Sequence, residues 1–216
     1  MGRLPARVDG GESLKKIVLF TQRVEVIESY QERRDCADQR IAEYICDCGY
    51  IPIPVPNNSK LAVNIAQNIG ASGIVLTGGN SLVKYGGNAP ERDETDKALI
   101  EYSIENGIPL YGFCRGMQSI LDYFGNNLVN VGGHVAVRHK VNGENEELEV
   151  NSYHNQACLE LKSDCLEAVL LAEDGVIEKV RHKEYPIVGT MWHPERENPF
   201  RETDKKCLKS LIEDVT

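Results

Sequence analysis

The segment from Ile108 to Phe124 constrains the fold of this chain more than any other stretch. It opens with the apolar run IPLY, passes through GFCRG, and then carries apolar residues spaced i, i+3, i+4 and i+7. That spacing is one face of a helix, so the segment predicts a buried strand that turns sharply into a helix. Cys114 lies at the turn, and Gly112 and Gly116 remove the side chains that so tight a turn would crowd.

Cys114 is therefore the candidate nucleophile of the chain. A turn of this kind lifts the sulfur out of the sheet and directs the first amides of the following helix toward it. Those N–H groups and the helix dipole favour a thiolate over a thiol. A buried structural cysteine is the alternative interpretation, and the paired glycines argue against it.

Apolar strands alternate with helices on both sides of this turn. Strands are predicted at residues 16–20, 51–56, 73–77, 108–111 and 187–192. Helices are predicted at residues 37–48, 61–69, 90–106, 117–124 and 207–215. Because the strands are apolar throughout, they indicate a parallel sheet covered on both faces, with the proline-bearing second strand near an edge.

From Asn126 onward, hairpins replace this alternation. Paired strands are predicted at residues 128–141 with 147–153, and at residues 169–171 with 176–180. The polar segment 22–33 carries no predicted strand or helix. We therefore expect an α/β fold, an open and mostly parallel sheet with helices on both faces. It should form one domain over residues 15–216, behind a flexible tail at residues 1–14.

Composition excludes several classes of function. The net charge of −9 and the lack of a Lys/Arg run argue against a nucleic-acid partner. No stretch approaches the roughly 18 apolar residues of a membrane helix, and the N-terminus lacks the apolar core of a signal peptide. Seven cysteines at irregular spacings, without a zinc-type Cys/His pattern, predict reduced thiols, a cytoplasmic protein and no metal site.

His193 and Glu195 are the candidate partners of Cys114. Of the five histidines, only His193 directly follows a strongly apolar strand, which places it at the carboxyl edge of the sheet with Cys114. Pro194 stiffens the link to Glu195, so that the carboxylate can reach back to the ring. A loop histidine and a solvated charge are the alternatives, but together with the turn the residues predict a catalytic triad. His182, between two basic residues, is predicted to lie at the surface.

Gly78-Gly79-Asn80 follows another buried strand. Adjacent glycines let backbone amides approach a ligand closely, and with the N–H of Arg115 they could form an oxyanion hole. An ordinary turn is the alternative interpretation of this segment.

Four short sequences carry a family resemblance. GFCRGMQ around Cys114, NSYHNQ at residues 151–156 and WHPE at residues 192–195 resemble the signatures of class I glutamine amidotransferases. Within that superfamily the resemblance is nearest to the stand-alone γ-glutamyl hydrolases, of the γ-glutamyl-γ-aminobutyrate hydrolase type. Arg92-Asp93-x-x-Asp96 is similar to that branch as well. The resemblance runs from about Lys16 to the C-terminus.

The resemblance implies a flavodoxin-like three-layer fold and a set of residue roles. Cys114 would be the nucleophile, His193 the acid and base, and Glu195 the residue that orients the ring. Gly79 and Arg115 would supply the oxyanion donors. No cofactor or metal is implied. The implied contacts to the glutamyl substrate are Gly78, Asn80, Gln118, Ser152, Tyr153 and His154.

The polar segment after the first strand differs from that of the γ-aminobutyrate hydrolases. It is more similar to a bacterial capsule-pathway branch that removes glutamate from a γ-glutamyl nucleotide phosphoramidate. Its arginines, Arg23, Arg33 and Arg34, follow a strand end at the same edge as Cys114. Guanidinium groups suit phosphate and carboxylate, so we expect them to bind an anionic leaving group. Solvated surface arginines are the alternative.

The expected activity is hydrolysis of a small-molecule γ-glutamyl amide to glutamate and an amine. The first alternative is a glutaminase subunit that delivers ammonia to a synthase, which would be a separate partner chain. The second is an inactive binding protein on the same fold, against which the complete Cys/His/Glu set argues. The identity of the amine and the oligomeric state stay open, a homodimer included.

Overall fold

The computed structural model describes residues 16–144 and 146–213. The predicted tail at residues 1–14 lies outside this range. The helices are Gln39–Asp47 (α1), Ser59–Ile69 (α2), Pro90–Asn106 (α3), Arg115–Tyr123 (α4) and Glu202–Glu213 (α5). The strands are Ile17–Phe20 (β1), Arg23–Ile27 (β2), Glu32–Cys36 (β3), Ile51–Pro54 (β4), Gly73–Leu76 (β5), Leu110–Phe113 (β6), Val129–Asn130 (β7), Val135–Asn142 (β8), Glu147–Tyr153 (β9), Gln156–Ala157 (β10), Leu166–Ala172 (β11), Ile177–His182 (β12) and Ile187–Thr190 (β13).

A nine-stranded sheet in the order β4-β1-β5-β6-β13-β12-β11-β8-β9 forms the centre of the molecule. The strands from β4 to β13 pair in parallel, as their apolar sequences predict. The strands from β12 to β9 extend the sheet in antiparallel pairs. The proline-bearing β4 is the edge strand at one end, where its missing N–H donors cost no ladder bonds.

Helices cover both faces of the parallel strands. Alternate residues of β1 point to opposite sides, so that Leu19 joins one core cluster while Val18 and Phe20 join the other. The Leu19 cluster includes residues of α2, α3 and α4, and the Val18 cluster includes residues of α1 and α5. The predicted fold class, a three-layer α/β arrangement, is confirmed.

Local sequence sets where the first two helices begin and end. The side chain of Asp38 accepts a hydrogen bond from the N–H of Arg40 and caps α1. Asn58 caps α2 in the same way, and Gly70 ends α2 in the left-handed conformation with φ of 61°.

The structure differs from the sequence-based expectation in two segments. The polar segment 22–33, which carried no predicted element, lies within the hairpin of β2 and β3. The single strand predicted at 128–141 is broken at Gly133, where φ is 83°, and β7 pairs with β10 instead of joining the main sheet. Within the described residues, no helix is long and apolar enough to cross a membrane.

Candidate active site

Three neighbouring parallel strands end at one place on the sheet. β5, β6 and β13 lie side by side, and each is followed directly by a predicted site segment. Gly78 and Gly79 follow β5, Cys114 follows β6, and His193 follows β13. Because the carboxyl ends of parallel strands meet at the same edge, residues far apart in sequence converge there.

Cys114 occupies the sharp turn that the sequence predicts. Its φ of 51° and ψ of −111° lie outside the ordinary regions for a residue with a side chain. A Cβ on Gly112 would come within 2.7 Å of the Gly116 backbone, and one on Gly116 would overlap the Leu76 carbonyl. Glycine is therefore required at both positions, because the neighbouring backbone lies too close for a side chain. The Cys114 N–H bonds the Thr190 carbonyl at 2.8 Å, which fixes the turn against β13.

His193 is held on two sides. Its Nδ1 lies 2.7 Å from Oε1 of Glu195, and both side chains are buried. Its backbone N–H and C=O both bond the side-chain amide of Asn151, at 2.9 and 2.8 Å. The carboxylate orients the ring and the amide fixes the main chain, so the other ring nitrogen is left for Cys114.

The charge state of His193 follows from these neighbours. Burial by itself lowers the pKa of His193. The Cys114 sulfur, as a charge and as a hydrogen-bond partner, and then the Glu195 carboxylate outweigh that effect and raise the pKa to about 10. The ring is therefore protonated at neutral pH and lies beside the sulfur.

Gly78 and Gly79 pass close to the catalytic pair. A Cβ on Gly78 would lie 2.7 Å from Cε1 of His193, so only glycine allows this approach. Gly79 adopts a φ of 89°, a conformation that favours glycine. The first N–H groups of a helix have no partner within it, and Arg115 is the first residue of α4. The Gly79 and Arg115 amides are thus candidates for an oxyanion hole.

A fully buried arginine fixes the glycine segment. Arg92 donates hydrogen bonds to the carbonyls of Thr77, at 2.7 Å, and Gly78, at 2.9 Å, and to the carbonyl of Gly79. Because Arg92 holds the three carbonyls on one side of the segment, the segment from Thr77 to Gly79 is fixed relative to Cys114. Arg92 is thus a positioning residue that the sequence analysis noted only as part of a motif.

The same motif also fixes the first residue of α4. Asp93 and Asp96 both accept hydrogen bonds from the buried guanidinium of Arg115. Ser119, one turn further along α4, bonds the same Asp96 carboxylate at 2.8 Å. One turn of α3 therefore positions both candidate oxyanion donors, which explains the Arg-Asp-x-x-Asp spacing.

Two small cavities meet at His193, and Cys114 lines the first of them. The first, of about 230 Å³, lies on the side of Gln118, Tyr153 and His154. The Gln118 amide donates to the carbonyl of Gln156 at 2.9 Å, which keeps this wall in place. The Tyr153 ring stands edge-on to the His193 ring, with centroids 5.7 Å apart. The lining of this first cavity combines backbone and amide groups, which can both donate and accept hydrogen bonds.

The second cavity, of about 210 Å³, lies on the side of the β2–β3 hairpin. Arg23 lines it and packs across Gly79, where a Cβ would lie 3.0 Å from the arginine Cδ. Arg196 lines both cavities and lies 4.2 Å above the Tyr153 ring. This cavity therefore has the guanidinium groups of Arg23 and Arg196 beside His193.

Two of the predicted contact residues, Arg33 and Arg34, line neither of these cavities. Arg33 bonds Glu91 and the Asn88 carbonyl, and Arg34 bonds Glu32 on the exposed hairpin. The sequence alone could not distinguish Arg33 and Arg34 from Arg23. The direction of each guanidinium depends on the carboxylates that surround it in the folded protein.

Asn80 and Ser152 also have partners within the protein. The Asn80 amide pairs with the N–H and C=O of Val24, at 2.8 and 3.0 Å, and so ties the hairpin to the glycine segment, while lining the first cavity. The Ser152 hydroxyl is fully buried and donates to the His134 carbonyl at 2.7 Å.

The functional residues that sequence reasoning missed are Asn151, Arg92 and Arg196. Asn151 and Arg92 lay within motifs already quoted, and Arg196 directly follows the His-Pro-Glu signature.

The prediction that His182 lies at the surface is wrong. The residue is only 7% exposed, and its Nδ1 accepts the N–H groups of Glu184 and Tyr185, each at 3.0 Å. Burial lowers the pKa of His182, which keeps the ring neutral as an acceptor. Its basic neighbours in sequence point away from the core because side chains alternate along a strand.

Known proteins resemble this chain over most of its length. A family profile described as "Glutamine amidotransferase class-I" matches residues 32–212. The gamma-glutamyl-CDP-amidate hydrolase of Campylobacter jejuni is 35% identical over 83% of this chain and 90% of its own. Anthranilate synthase component 2 of Thermococcus kodakarensis is 28% identical over 75% of this chain and 83% of its own.

A solved structure supports the fold. A glutamine amidotransferase from Thermotoga maritima superposes with a TM-score of 0.68 at 16% identity, covering 94% of this chain and 99% of its own. The profile match spans the glycine segment, the Cys114 turn and the His193–Glu195 pair. From these matches, the chain belongs to the class I glutamine amidotransferase family of enzymes.

Proposed function

We propose that this enzyme hydrolyses a γ-glutamyl amide to glutamate and an amine, with Cys114 as nucleophile. The observation that carries the proposal is that two cavities share Gly79, His193 and Arg196, and that Cys114 lines the first of them. One cavity suits an amino-acid head group, and the other offers cations to what lies beyond the amide. A single bound molecule could occupy both with its amide carbon beside the sulfur.

In the first half of the reaction, the Cys114 sulfur attacks the γ-carbonyl carbon. The negative charge that develops on the carbonyl oxygen is stabilised by the N–H groups of Gly79 and Arg115. One such donor is typically worth about 3–4 kcal/mol in the transition state. The imidazolium of His193 then gives its proton to the departing nitrogen, the C–N bond breaks, and a thioester with the glutamyl group remains.

In the second half, neutral His193 takes a proton from water. The hydroxide that forms attacks the thioester carbon, and the same two amides hold the oxyanion again. The C–S bond then breaks and glutamate leaves, which restores the free Cys114 sulfur and the protonated His193 ring. Glu195 keeps the ring in orientation throughout.

The leaving group is proposed to be anionic. Arg23 is half-exposed, and its ion pair with Glu25 is a surface pair that contributes little, so the guanidinium can turn to a ligand. Guanidinium binds phosphate and carboxylate through paired hydrogen bonds. Since the Campylobacter relative is named a gamma-glutamyl-CDP-amidate hydrolase, a γ-glutamyl nucleotide phosphoramidate is the first candidate. γ-Glutamyl-γ-aminobutyrate is the second.

A substrate comparison tests this assignment. We expect kcat/KM for a γ-glutamyl phosphoramidate to exceed that for γ-glutamyl-γ-aminobutyrate, and both to exceed that for glutamine, whose leaving group is uncharged ammonia. Remote contacts can be used to lower the barrier, so the preference should appear in kcat/KM. Arg23→Ala should lower the ratio of kcat/KM for the phosphoramidate to kcat/KM for glutamine by about 10–100-fold, which is the value of one or two charge-assisted hydrogen bonds.

Arg34→Ala is the matched control for this comparison. Arg34 lies on the same hairpin, pairs with Glu32 and does not line the cavity, so its loss should leave the ranking unchanged. An equal effect of the two variants would show that the hairpin acts only through its general charge. If glutamine were the best of the three substrates, the anionic leaving group would be excluded.

The glutaminase alternative has one observation in its favour, the similarity to anthranilate synthase component 2. Under this reading, ammonia from glutamine passes to a synthase that is a separate chain. The purified protein alone would then turn over γ-glutamyl amides slowly. Addition of a co-purifying synthase would raise its glutaminase rate, whereas a stand-alone hydrolase needs no partner.

Glu195→Gln is expected to lower kcat by about 10²–10⁴-fold, less than the loss of a group that moves bonds or protons. The amide cannot stabilise an imidazolium at Nδ1, where the carboxylate now lies 2.7 Å away. Steady-state kinetics against Glu202→Gln, a surface change on α5, provide the comparison. A fully active Glu195→Gln enzyme would mean that another carboxylate holds the ring.

A further inference from the structure

Three histidines surround one buried carboxylate beside the catalytic site. Oε1 of Glu178, on β12, lies 3.3 Å from Nδ1 of His134, 3.3 Å from Nε2 of His139 and 3.2 Å from Nε2 of His154. Glu178 is fully buried and His134 is 3% exposed. The mechanism above uses none of the groups that meet at this oxygen.

Hydrogen bonds within the cluster leave several of these atoms without a partner. His134 Nε2 lies 2.8 Å from Oδ2 of Asp174, so the proton on that ring is placed at Nε2. Its Nδ1 then presents a lone pair to the Glu178 oxygen, and among the described residues it has no hydrogen-bond partner. Nε2 of His139 faces the same Glu178 oxygen at 3.3 Å. A cation held between these ring nitrogens and the carboxylate would satisfy the lone pair of His134 and the charge of Glu178 together.

The distances from the two histidines to the carboxylate also suit a metal ion. Zinc binds nitrogen and oxygen at about 2.0–2.1 Å, so neighbouring ligand atoms of a tetrahedral site lie roughly 3.3 Å apart. The distances from His134 Nδ1 and from His139 Nε2 to Oε1 of Glu178, both 3.3 Å, match that edge length. One ligand atom from each of His134, His139 and Glu178 lies within 4.8 Å of the others. An acidic residue behind a ligating histidine, as Asp174 is behind His134, is the usual outer support of such sites.

We propose that His134, His139 and Glu178 bind a divalent transition-metal ion, of which zinc is the simplest. Two imidazoles and one carboxylate suit such ions, whereas magnesium and calcium prefer oxygen ligands. His154 bonds the same carboxylate and supports it from the protein side. The spacing of cysteines and histidines along the sequence predicts no metal, because Glu178 lies on a strand distant in the chain and only the tertiary fold brings it to His134 and His139.

An open route leads to the proposed site. His134, His139 and Asp174 line a cavity of about 470 Å³ on the surface. Two basic residues at its rim would repel a cation, but each is paired. Arg138 bonds Glu149 and Glu197, and Lys140 bonds Glu147 at 2.8 Å.

Backbone hydrogen bonds connect this cluster to both sides of the catalytic site. The His134 carbonyl accepts the Ser152 hydroxyl at 2.7 Å and the His154 N–H at 2.9 Å, within the segment that walls the first cavity. The Glu178 carbonyl accepts the Met191 N–H at 2.8 Å, two residues before His193. A bound ion would therefore fix the wall of the cavity and the end of β13 together, as a structural metal.

Metal binding is best measured in the Cys114→Ala protein, so that the catalytic thiol cannot bind the ion instead. The protein is stripped with a chelator, dialysed against zinc, and its metal content measured; magnesium is the negative control. We expect one zinc per chain. His139→Gln and Glu178→Gln in the same background should each lose it, while His182→Gln, a buried histidine outside the cluster, should keep it.

Cobalt replaces zinc as a spectroscopic probe that needs no further variant, which covers the case in which Glu178→Gln does not fold. We expect absorption bands of four- or five-coordinate cobalt without the sulfur-to-metal charge-transfer band. A charge-transfer band would assign the ion to one of the remaining cysteines and overturn the proposal. Absence of stoichiometric binding, or binding that survives both His139→Gln and Glu178→Gln, would overturn it as well.

Discussion

Cys114→Ala is expected to lower kcat on any γ-glutamyl amide by about 10⁴–10⁶-fold. The substitution removes the only atom that can form the thioester, and the oxyanion donors alone leave a small residual rate. Alanine keeps the Cβ and can adopt the same strained turn at similar cost, so the fold should persist. Thermal unfolding and initial rates on the same preparation test both parts of this expectation.

Cys46→Ala is the matched control, because Cys46 is an exposed thiol on α1 outside the site. It should retain wild-type activity. Mass spectrometry gives a second readout: wild-type protein quenched during turnover should carry a glutamyl group on the peptide that contains Cys114. Appreciable turnover by Cys114→Ala, or a glutamyl adduct elsewhere, would contradict the assignment of the nucleophile.

His193→Ala is expected to be nearly as severe, with kcat lowered by about 10⁴–10⁶-fold. In the proposed mechanism the ring protonates the departing amine and later deprotonates water, so its loss should affect both halves of the reaction. Because alanine leaves a space beside Cys114, added imidazole should restore part of the activity. A merely structural histidine would not be rescued in this way.

The pH profile separates the chemical role of His193 from a structural one. Its pKa, raised to about 10 mainly by the Cys114 sulfur against the effect of burial, keeps the general acid protonated through the neutral range. As the pH rises through about 10, the acid form is lost, so kcat/KM of the wild type should fall there. The residual activity of His193→Ala should lack this alkaline decline. An unchanged profile would assign the decline to another group.

Much of the candidate site could be predicted because its signals are local. The Cys114 turn depends on glycines two residues to either side, and the His193–Glu195 pair is only two residues apart. Strand apolarity also predicted that the elements before Cys114 and His193 would lie in the parallel part of one sheet. Periodicity reports which residues are buried, and buried strands in alternation with helices leave few arrangements of the chain.

Contacts between distant segments could not be predicted in this way. Arg23 and Arg34 look alike in sequence, and only the packing of the hairpin against Gly79 separates them. Arg92 lies in the first turn of a helix, and it is fully buried because the glycine-segment carbonyls need a donor.

The sequence by itself therefore determined the fold class, the turn at Cys114 and the pairing of His193 with Glu195, since each depends on spacing along one strand or turn. The tertiary structure alone decided which arginines face the cavities and what holds the oxyanion segment. It also decided that His134, His139 and Glu178 meet. These outcomes depend on strand order and side-chain direction across the sheet, and a buried polar group takes whichever partner the neighbouring strand brings within hydrogen-bond distance.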